Sequence, residues 1–225
     1  MRQLILSGGG GEQDSRPLDE AFARQMPASR PLLYLPIALD PREHAYAACH
    51  RWIRSVFAPL GRDDIVMWDD VAGKGATDLD AFAGIYIGGG NAFKLLHDLR
   101  EARLLDPLRR FALGGGLVYG GSAGAILLGK DITTAAHADP NEVGLRDTTG
   151  LDLLDGYSVW PHYRQDDDDC IAAHVERYGL PVIALSERSG LYVRDDLPTA
   201  LGSAPTVVFR AQSRDGYPSS MTIDL

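Results

Sequence analysis

The chain alternates short apolar runs with longer stretches in which apolar residues recur at helical spacing. Four apolar runs have strand length: LIL at 4–6, LLYLPIA at 32–38, GIYIGGG at 84–90 and LVYGG at 117–121. In the stretch 42–61, apolar side chains recur three and four residues apart and predict one buried helix face. Uniformly apolar strands that alternate with helices are typical of parallel sheets covered on both faces. We therefore predict an α/β fold with a mostly parallel sheet flanked by helices.

The boundaries of the predicted elements carry further signals. Asn91 opens the stretch NAFKLLHDLREARL and predicts a helix N-cap, while Gly61 predicts the end of the helix in 42–61. The C-terminal part contains four short runs rich in β-forming residues, which are PVIALSE, GLYVRDD, PTVVFRA and MTIDL. Because no internal repeat or linker interrupts the chain, we predict a single α/β domain over residues 1–225. The least regular stretch, 135–170, is interpreted as the surround of a site.

Charge and cysteine content exclude several classes of protein. The formal net charge of −9 argues against a protein that binds nucleic acid or an anionic membrane. The 2 cysteines have no metal-type spacing, so we predict no metal site and no disulfide framework, as expected in a reducing cytosol. The apolar run near the N-terminus is too short for a signal peptide, and we predict a cytoplasmic location. Both a monomer and a homodimer are compatible with the sequence.

Glycines cluster at 8–11, 88–90 and 120–124, directly after predicted strands. In parallel α/β sheets, ligands bind beyond these strand ends. None of the clusters completes the dinucleotide fingerprint, and no GxxxxGK[ST] motif is present, so we predict no organic cofactor. The GGGN stretch at 88–91 has two interpretations, a tight turn capped by Asn91 or an oxyanion site at a helix N-terminus.

The stretch VYGGSAGA contains the pattern GxSxG, in which Ser122 follows a predicted strand and precedes a predicted helix. That context is typical of a nucleophile elbow, where the Ala123 N–H faces the position of an oxyanion. The alternative interpretation is a small residue that fills a tight corner. A catalytic serine needs a base, and the base needs an acid that orients it.

Position in the chain selects candidates for the base and the acid. His162 lies in VWPHY after a short apolar run and a proline, which favours a fixed loop at a strand end. His137 lies in the irregular stretch and stays an alternative. The other histidines fall on predicted helices: His44, His50, His97 and His174. For the acid, Glu187 follows an apolar run directly, with Asp139 and Glu142 as alternatives.

Together, the stretches YIGGGNAFKLL, YGGSAGA, VWPHY and VIALSERSGLYV resemble the peptidase E family of serine peptidases, the aspartyl dipeptidases, of which cyanophycinase is a longer relative. The resemblance implies a flavodoxin-like α/β sandwich, similar to class I glutamine amidotransferases, with a nucleophile elbow. It implies a triad in which Ser122 is the nucleophile, His162 the base and Glu187 the acid. It also implies that Gly90 and Ala123 supply the oxyanion N–H groups.

The resemblance further implies a hydrolase of short peptides with a free N-terminus, acting like a dipeptidase or aminopeptidase. The predicted substrate-binding residues are Gly89, Asn91, Thr133, Thr134 and Arg164, with Arg146 as an alternative to Arg164. The stretch ITTAAHADP departs from the family pattern, because it lacks the arginine that helps to read an N-terminal aspartate. Strict Asp-X selectivity is therefore not predicted.

Two alternatives to this function stay open at the level of sequence. One is a hydrolase of β-aspartyl peptides or esters on the same triad. The other is a non-catalytic protein of the same fold that binds small acids or peptides. A further hypothesis concerns the run of four aspartates at 166–169, one of which is expected to capture the α-amine of the substrate.

Overall fold

The computed structural model describes residues 2–194, 196–218 and 221–223. Its strands, in chain order, are β1 (Gln3–Ser7), β2 (Leu32–Leu35), β3 (Ile65–Met67), β4 (Gly84–Ile87), β5 (Leu117–Gly121), β6 (Ser158–Trp160), β7 (Val182–Ala184), β8 (Ser189–Arg194), β9 (Leu197–Gly202), β10 (Thr206–Arg210) and β11 (Ser213–Tyr217). Its α-helices are α1 (Glu12–Gln25), α2 (Tyr46–Phe57), α3 (Ala76–Leu79), α4 (Ala92–Glu101), α5 (Leu105–Leu113), α6 (Ala123–Leu128) and α7 (Asp168–Tyr178).

The larger of two sheets has seven strands in the order β3-β2-β4-β5-β1-β8-β9. The first five strands of that order are mutually parallel, and β8 and β9 extend the sheet in antiparallel fashion. The prediction of an α/β fold with a largely parallel sheet is confirmed in this form. Across the described residues, no helix is long and apolar enough to cross a membrane.

Helices cover both faces of the larger sheet, as the alternation along β1 illustrates. Leu4 and Leu6 pack in a cluster with residues of α4, α5 and α6, while Ile5 packs in a second cluster with residues of α1 and α2. Because successive side chains of a strand point to opposite faces, a fully apolar strand needs such a layer on each side. The apolar strand sequences therefore follow from the fold.

Helix α1 lies in a stretch for which the sequence analysis predicted no element, since its sequence is mostly polar and contains Pro17. It is held by Leu18 and Phe22, both fully buried. The Phe22 ring makes edge-on contacts with the rings of Phe57 and Tyr119, at centroid distances of 5.7 and 5.3 Å. Such aromatic contacts stabilise the packing beyond the burial of apolar area alone.

A smaller sheet of four strands, in the order β11-β10-β7-β6, was not predicted as a separate layer. Three of the four C-terminal runs form the strands β7, β8 and β10, as predicted. The fourth run, MTIDL, forms no strand in its described part, where Thr222 makes an isolated bridge to Thr199, and its last two residues lie outside the described residues. Strand β11 is almost wholly exposed and depends on its pairing with β10, so its sequence carries no apolar signal.

Candidate active site

Ser122 lies between β5 and α6 in a backbone conformation that few side chains adopt. Its φ of 51° and ψ of −111° are unusual for a residue other than glycine and mark local strain. The Ser122 N–H donates to the Ser7 carbonyl oxygen at 3.1 Å, which ties the turn to the end of β1. A Cβ at Gly124 would lie 2.2 Å from the Ile87 carbonyl oxygen, so only glycine lets α6 approach the sheet this closely. This is the geometry expected of a nucleophile elbow.

The imidazole of His162 lies against the serine hydroxyl. Ser122 Oγ and His162 Nε2 are 2.8 Å apart, which is hydrogen-bond distance. His162 follows β6 of the smaller sheet and has a φ of 54°. The backbone N–H of His162 donates to the Gly8 carbonyl oxygen at 2.9 Å. A loop of the larger sheet therefore fixes the position of a residue that follows a strand of the smaller sheet.

Glu187 completes a line of three side chains. Its Oε1 lies 3.1 Å from His162 Nδ1, on the side of the ring opposite Ser122. The turn that carries Glu187 is closed by a hydrogen bond from the Ser189 N–H to the Ser186 carbonyl oxygen at 3.0 Å. The side chains of His162 and Glu187 are 49% and 53% exposed, so water reaches both groups and weakens their Coulombic attraction.

The residues from Ser7 to Gly10 contact all three members of this line, a role that the sequence analysis did not assign. A Cβ at Gly9, which has a φ of 104°, would lie 2.2 Å from Cε1 of the His162 ring. A Cβ at Gly10 would lie 2.9 Å from the Glu187 Cβ. With the hydrogen bonds that Ser7 and Gly8 accept, this loop sets the positions of the three side chains. The glycine cluster after β1 was the only available signal for it.

The turn that contains Gly90 lies beside Ser122 and Ala123. A Cβ at Gly89 would lie 3.1 Å from the Ser122 Cβ, which places the GGGN turn beside the serine. Among the described residues, no protein acceptor takes the N–H of Gly90 or of Ala123. Backbone N–H groups without a protein acceptor, on two turns that lie beside a serine, are of the kind that an oxyanion requires.

The remaining predicted substrate-binding residues have partners within the protein or lie exposed. Asn91 caps α4 by accepting the Lys94 N–H at 2.8 Å, as predicted for an N-cap. Thr134 is fully buried, and its hydroxyl donates to the Val159 carbonyl oxygen at 2.6 Å. Thr133 donates its hydroxyl to Asp131 at 2.5 Å. Arg164 is exposed. The structure thus gives both threonine hydroxyls contacts that hold the segment after α6.

The alternative acids and bases occupy other positions. Asp139 Oδ2 accepts the Ala92 N–H at 2.8 Å, at the start of α4. Burial raises the pKa of the Asp139 carboxyl, while the Ala92 N–H and the charges of His137 and His162 act in the opposite direction. The His137 ring stacks on Trp160 at a centroid distance of 4.1 Å, and its Nδ1 lies 2.8 Å from the Thr134 carbonyl oxygen.

The aspartate run at 166–169 makes several local contacts. The Tyr163 hydroxyl donates to Asp168 at 2.6 Å, and Arg214 pairs with the same carboxylate at 2.7 Å. Asp167 accepts the Arg164 N–H at 2.7 Å. Asp168 and Asp169 line a groove between α7 and the β10–β11 hairpin, which is a different cavity from the one that contains Gly90.

Comparison with known proteins identifies relatives along most of the chain. The sequence model of Peptidase family S51 matches residues 3–200. A probable alpha-aspartyl dipeptidase of Drosophila melanogaster is 30% identical over 139 residues, which are 56% of each chain. A peptidase E of Streptomyces coelicolor is 29% identical over 196 residues, which are 82% of this chain and 76% of the relative. Several of the curated relatives are therefore matched over little more than half of their length.

Solved structures agree in fold at lower identity. A putative peptidase E protein from Listeria monocytogenes superposes with a TM-score of 0.70 at 22% identity, covering 90% of this chain and 98% of that one. A peptidase from an acI-B1 Actinobacterium superposes with a TM-score of 0.75 at 18% identity, covering 100% of this chain and 97% of that one. By the match that spans residues 3–200, the chain belongs to peptidase family S51, the family of peptidase E and the alpha-aspartyl dipeptidases.

Proposed function

We propose that the chain is a cytoplasmic serine peptidase that hydrolyses short peptides with a free N-terminus through an acyl-enzyme. The observation that carries the proposal is the line from Ser122 Oγ to His162 Nε2 at 2.8 Å, and from His162 Nδ1 to Glu187 at 3.1 Å. A serine in hydrogen-bond contact with a base that is oriented by an acid is the arrangement of serine peptidases. The finer fold assignment, a flavodoxin-like sandwich similar to class I glutamine amidotransferases, belongs to the same proposal.

In the proposed reaction, Ser122 Oγ attacks the carbonyl carbon of the peptide bond while His162 Nε2 takes its proton. The Gly90 and Ala123 amides donate to the oxyanion that forms. His162 then returns the proton to the leaving amine, and the C–N bond breaks to give an ester on Ser122. A water molecule, deprotonated by His162, hydrolyses the ester and restores the hydroxyl. Glu187 stabilises the imidazolium in both halves of the reaction.

The strained backbone of Ser122 supports this assignment independently of the hydrogen bonds. A small residue that only fills a corner has no need of a φ of 51°, which costs on the order of 1–3 kcal/mol. Such an energetic cost is expected where the hydroxyl must project out of the sheet towards a substrate. The substrate class follows the names of the relatives, among them a probable alpha-aspartyl dipeptidase. Selectivity for an N-terminal aspartate is not part of the proposal.

The test compares wild-type protein with S122A on a panel of dipeptides that includes Asp-X, β-aspartyl and uncharged N-terminal residues. Wild type is expected to release amino acids from some members of the panel, and S122A is expected to release none. A fluorophosphonate probe is expected to label wild type and not S122A. Equal activity in the two proteins would refute the role of Ser122. A wild type that neither cleaves nor is labelled, but binds a peptide, would support the non-catalytic alternative.

A further inference from the structure

A cavity of about 580 Å³ opens beside the proposed oxyanion site. Gly90 lines this cavity together with Asn91, Asp139 and Pro140. The Asp139 carboxyl contacts the chain close to Gly90. Its Oδ2 accepts the N–H of Ala92, two residues after Gly90, at 2.8 Å. A half-buried carboxylate therefore lines the same cavity as Gly90, the residue to which the proposed reaction assigns the carbonyl oxygen of the substrate.

Backbone and side-chain contacts fix Asp139 from two sides. Its N–H donates to the Ala135 carbonyl oxygen at 2.8 Å, which anchors it to the turn after α6. The Asn91 side chain donates to the Pro140 carbonyl oxygen at 2.8 Å, which anchors the segment to the start of α4. Among the described residues, no donor contacts the second oxygen, Oδ1, of Asp139. The Asp139 carboxyl is thus held in place, and its Oδ1 is able to accept a further hydrogen bond.

Two other carboxylates of the cavity pair with cations, whereas Glu43 and Glu142 are exposed to solvent. Asp40 is held by Arg42 through contacts of 2.5 to 3.0 Å. Asp98 is held by Lys94 at 2.7 Å. The direct donor to Asp139 is a neutral backbone amide instead, and its carboxylate forms no direct ion pair with any residue that the structure describes. A cation in direct contact stabilises the charged form of a partly buried carboxylate of this kind.

The proposed substrate brings a cation to this place. In a peptide that is cut at its first bond, one carbon atom separates the α-ammonium group from the scissile carbonyl. Once that carbonyl oxygen binds at Gly90 and Ala123, the ammonium lies within a few ångströms of the oxyanion site. We propose that Asp139 binds the α-ammonium group of the substrate's N-terminal residue and so directs cleavage to the first peptide bond. This inference rests on the proposed function, and it replaces the aspartates at 166–169 in that role.

A substitution of Asp139 by asparagine separates this role from capping of α4. Asparagine keeps a side-chain oxygen that accepts the Ala92 N–H, but it removes the charge. Kinetics are measured on alanyl and aspartyl p-nitroanilides with a free amine and on their N-acetyl counterparts. We expect D139N to lower kcat/KM on the free-amine substrates about 10- to 100-fold, mainly through KM, since a charged hydrogen bond is lost. Activity on the N-acetyl substrates is expected to stay unchanged.

Two further variants sharpen the result. D139E is expected to recover part of the lost activity on free-amine substrates, because it restores the charge. E43Q, which removes an exposed carboxylate from the rim of the same cavity, is expected to behave as wild type. An unchanged preference for the free amine in D139N would overturn the proposal. Equal losses on both substrate types would also overturn it, since they would indicate a purely structural role.

Binding of the α-ammonium group can also be measured without catalysis. By titration calorimetry, S122A is expected to bind Ala-Ala more tightly than N-acetyl-Ala-Ala, and S122A/D139N is expected to lose that difference. Absence of Ser122-dependent hydrolysis would refute the proposed function, but it would not affect this comparison. Equal preference for the free amine in the two variants would refute the role of Asp139 alone.

Discussion

Asp19 is a carboxyl group in the core, and its removal gives a quantitative test of the structure. It lies on α1 with 2% of its surface exposed, close to the hydroxyls of Ser15 and Tyr119. The Ser15 hydroxyl donates to its Oδ2 at 2.8 Å, while no donor within ideal geometry contacts its Oδ1 among the described residues. Burial, only partly offset by these hydroxyls, raises the pKa of Asp19 from 3.8 to about 6.

The raised pKa sets the sign of the effect. Between pH 4 and pH 6 the folded protein binds a proton at Asp19 that the unfolded chain has released, so the contribution of Asp19 to stability falls as the pH rises. Each pKa unit corresponds to about 1.4 kcal/mol, and the ionised form therefore costs the folded state about 3 kcal/mol at pH 7. In D19N the Ser15 hydrogen bond keeps an acceptor, and this cost disappears.

The assay is urea unfolding of wild type and D19N at several pH values from 4 to 7. The difference between the two free energies of unfolding cancels the titration of all other groups. We expect this difference to rise by about 2.4 kcal/mol in favour of D19N from pH 4 to pH 7, since the unfolded chain has already released part of the proton at pH 4. The variant E101Q, which removes an exposed carboxylate from the end of α4, controls for the change in net charge. A difference that stays constant with pH would refute the assignment of a destabilising buried charge to Asp19.

Two further predictions concern the candidate site. G9A is expected to lower kcat by at least about 10²-fold while the protein stays folded by circular dichroism, because a Cβ would overlap the His162 ring at 2.2 Å. G73A, at a residue with a φ of 73° and no atom within 4 Å of an added Cβ, is the control, and similar activity in both variants would contradict the argument. E187Q is expected to lower kcat by about 10²-fold, less than the roughly 10⁴-fold loss known for a buried triad acid, since the Glu187 side chain is 53% exposed and water partly replaces it. Unchanged kcat in E187Q would exclude Glu187 as the orienting acid.

Much of the fold was predictable because apolar periodicity reports which faces of an element are buried. The strands of the larger sheet are covered on both faces, so their sequences are continuously apolar and easily recognised. Helix α1 was not predicted, because a mostly polar stretch with Pro17 near its start resembles a loop. Pro17 is the sixth residue of α1 and lies beyond its first turn, so it leaves one backbone carbonyl oxygen without its helical hydrogen bond. Phe22 and Leu18 anchor α1 through contacts that only the folded chain brings together.

The candidate site was partly predictable for a different reason. Ser122, His162 and Glu187 each follow a strand end, and the sequence indicates strand ends well. Which polar residues of the irregular segment face the cleft was not predictable from position alone. Thr134 carries a hydroxyl that could bind a substrate, yet that hydroxyl donates a hydrogen bond to the Val159 carbonyl oxygen of β6. The choice between burial and exposure at such positions depends on which strand passes beside them.

The contacts of the loop after β1 could not be predicted from the sequence. His162 and Glu187 follow strands of the smaller sheet, whereas Ser122 follows β5 of the larger one. Gly8 lies where the two sheets meet, and its carbonyl oxygen accepts the His162 N–H at 2.9 Å. Gly9 lies beneath the imidazole, where any side chain would displace the ring. A glycine cluster in sequence indicates that the backbone approaches something closely, but the identity of that partner depends on how the two sheets are joined.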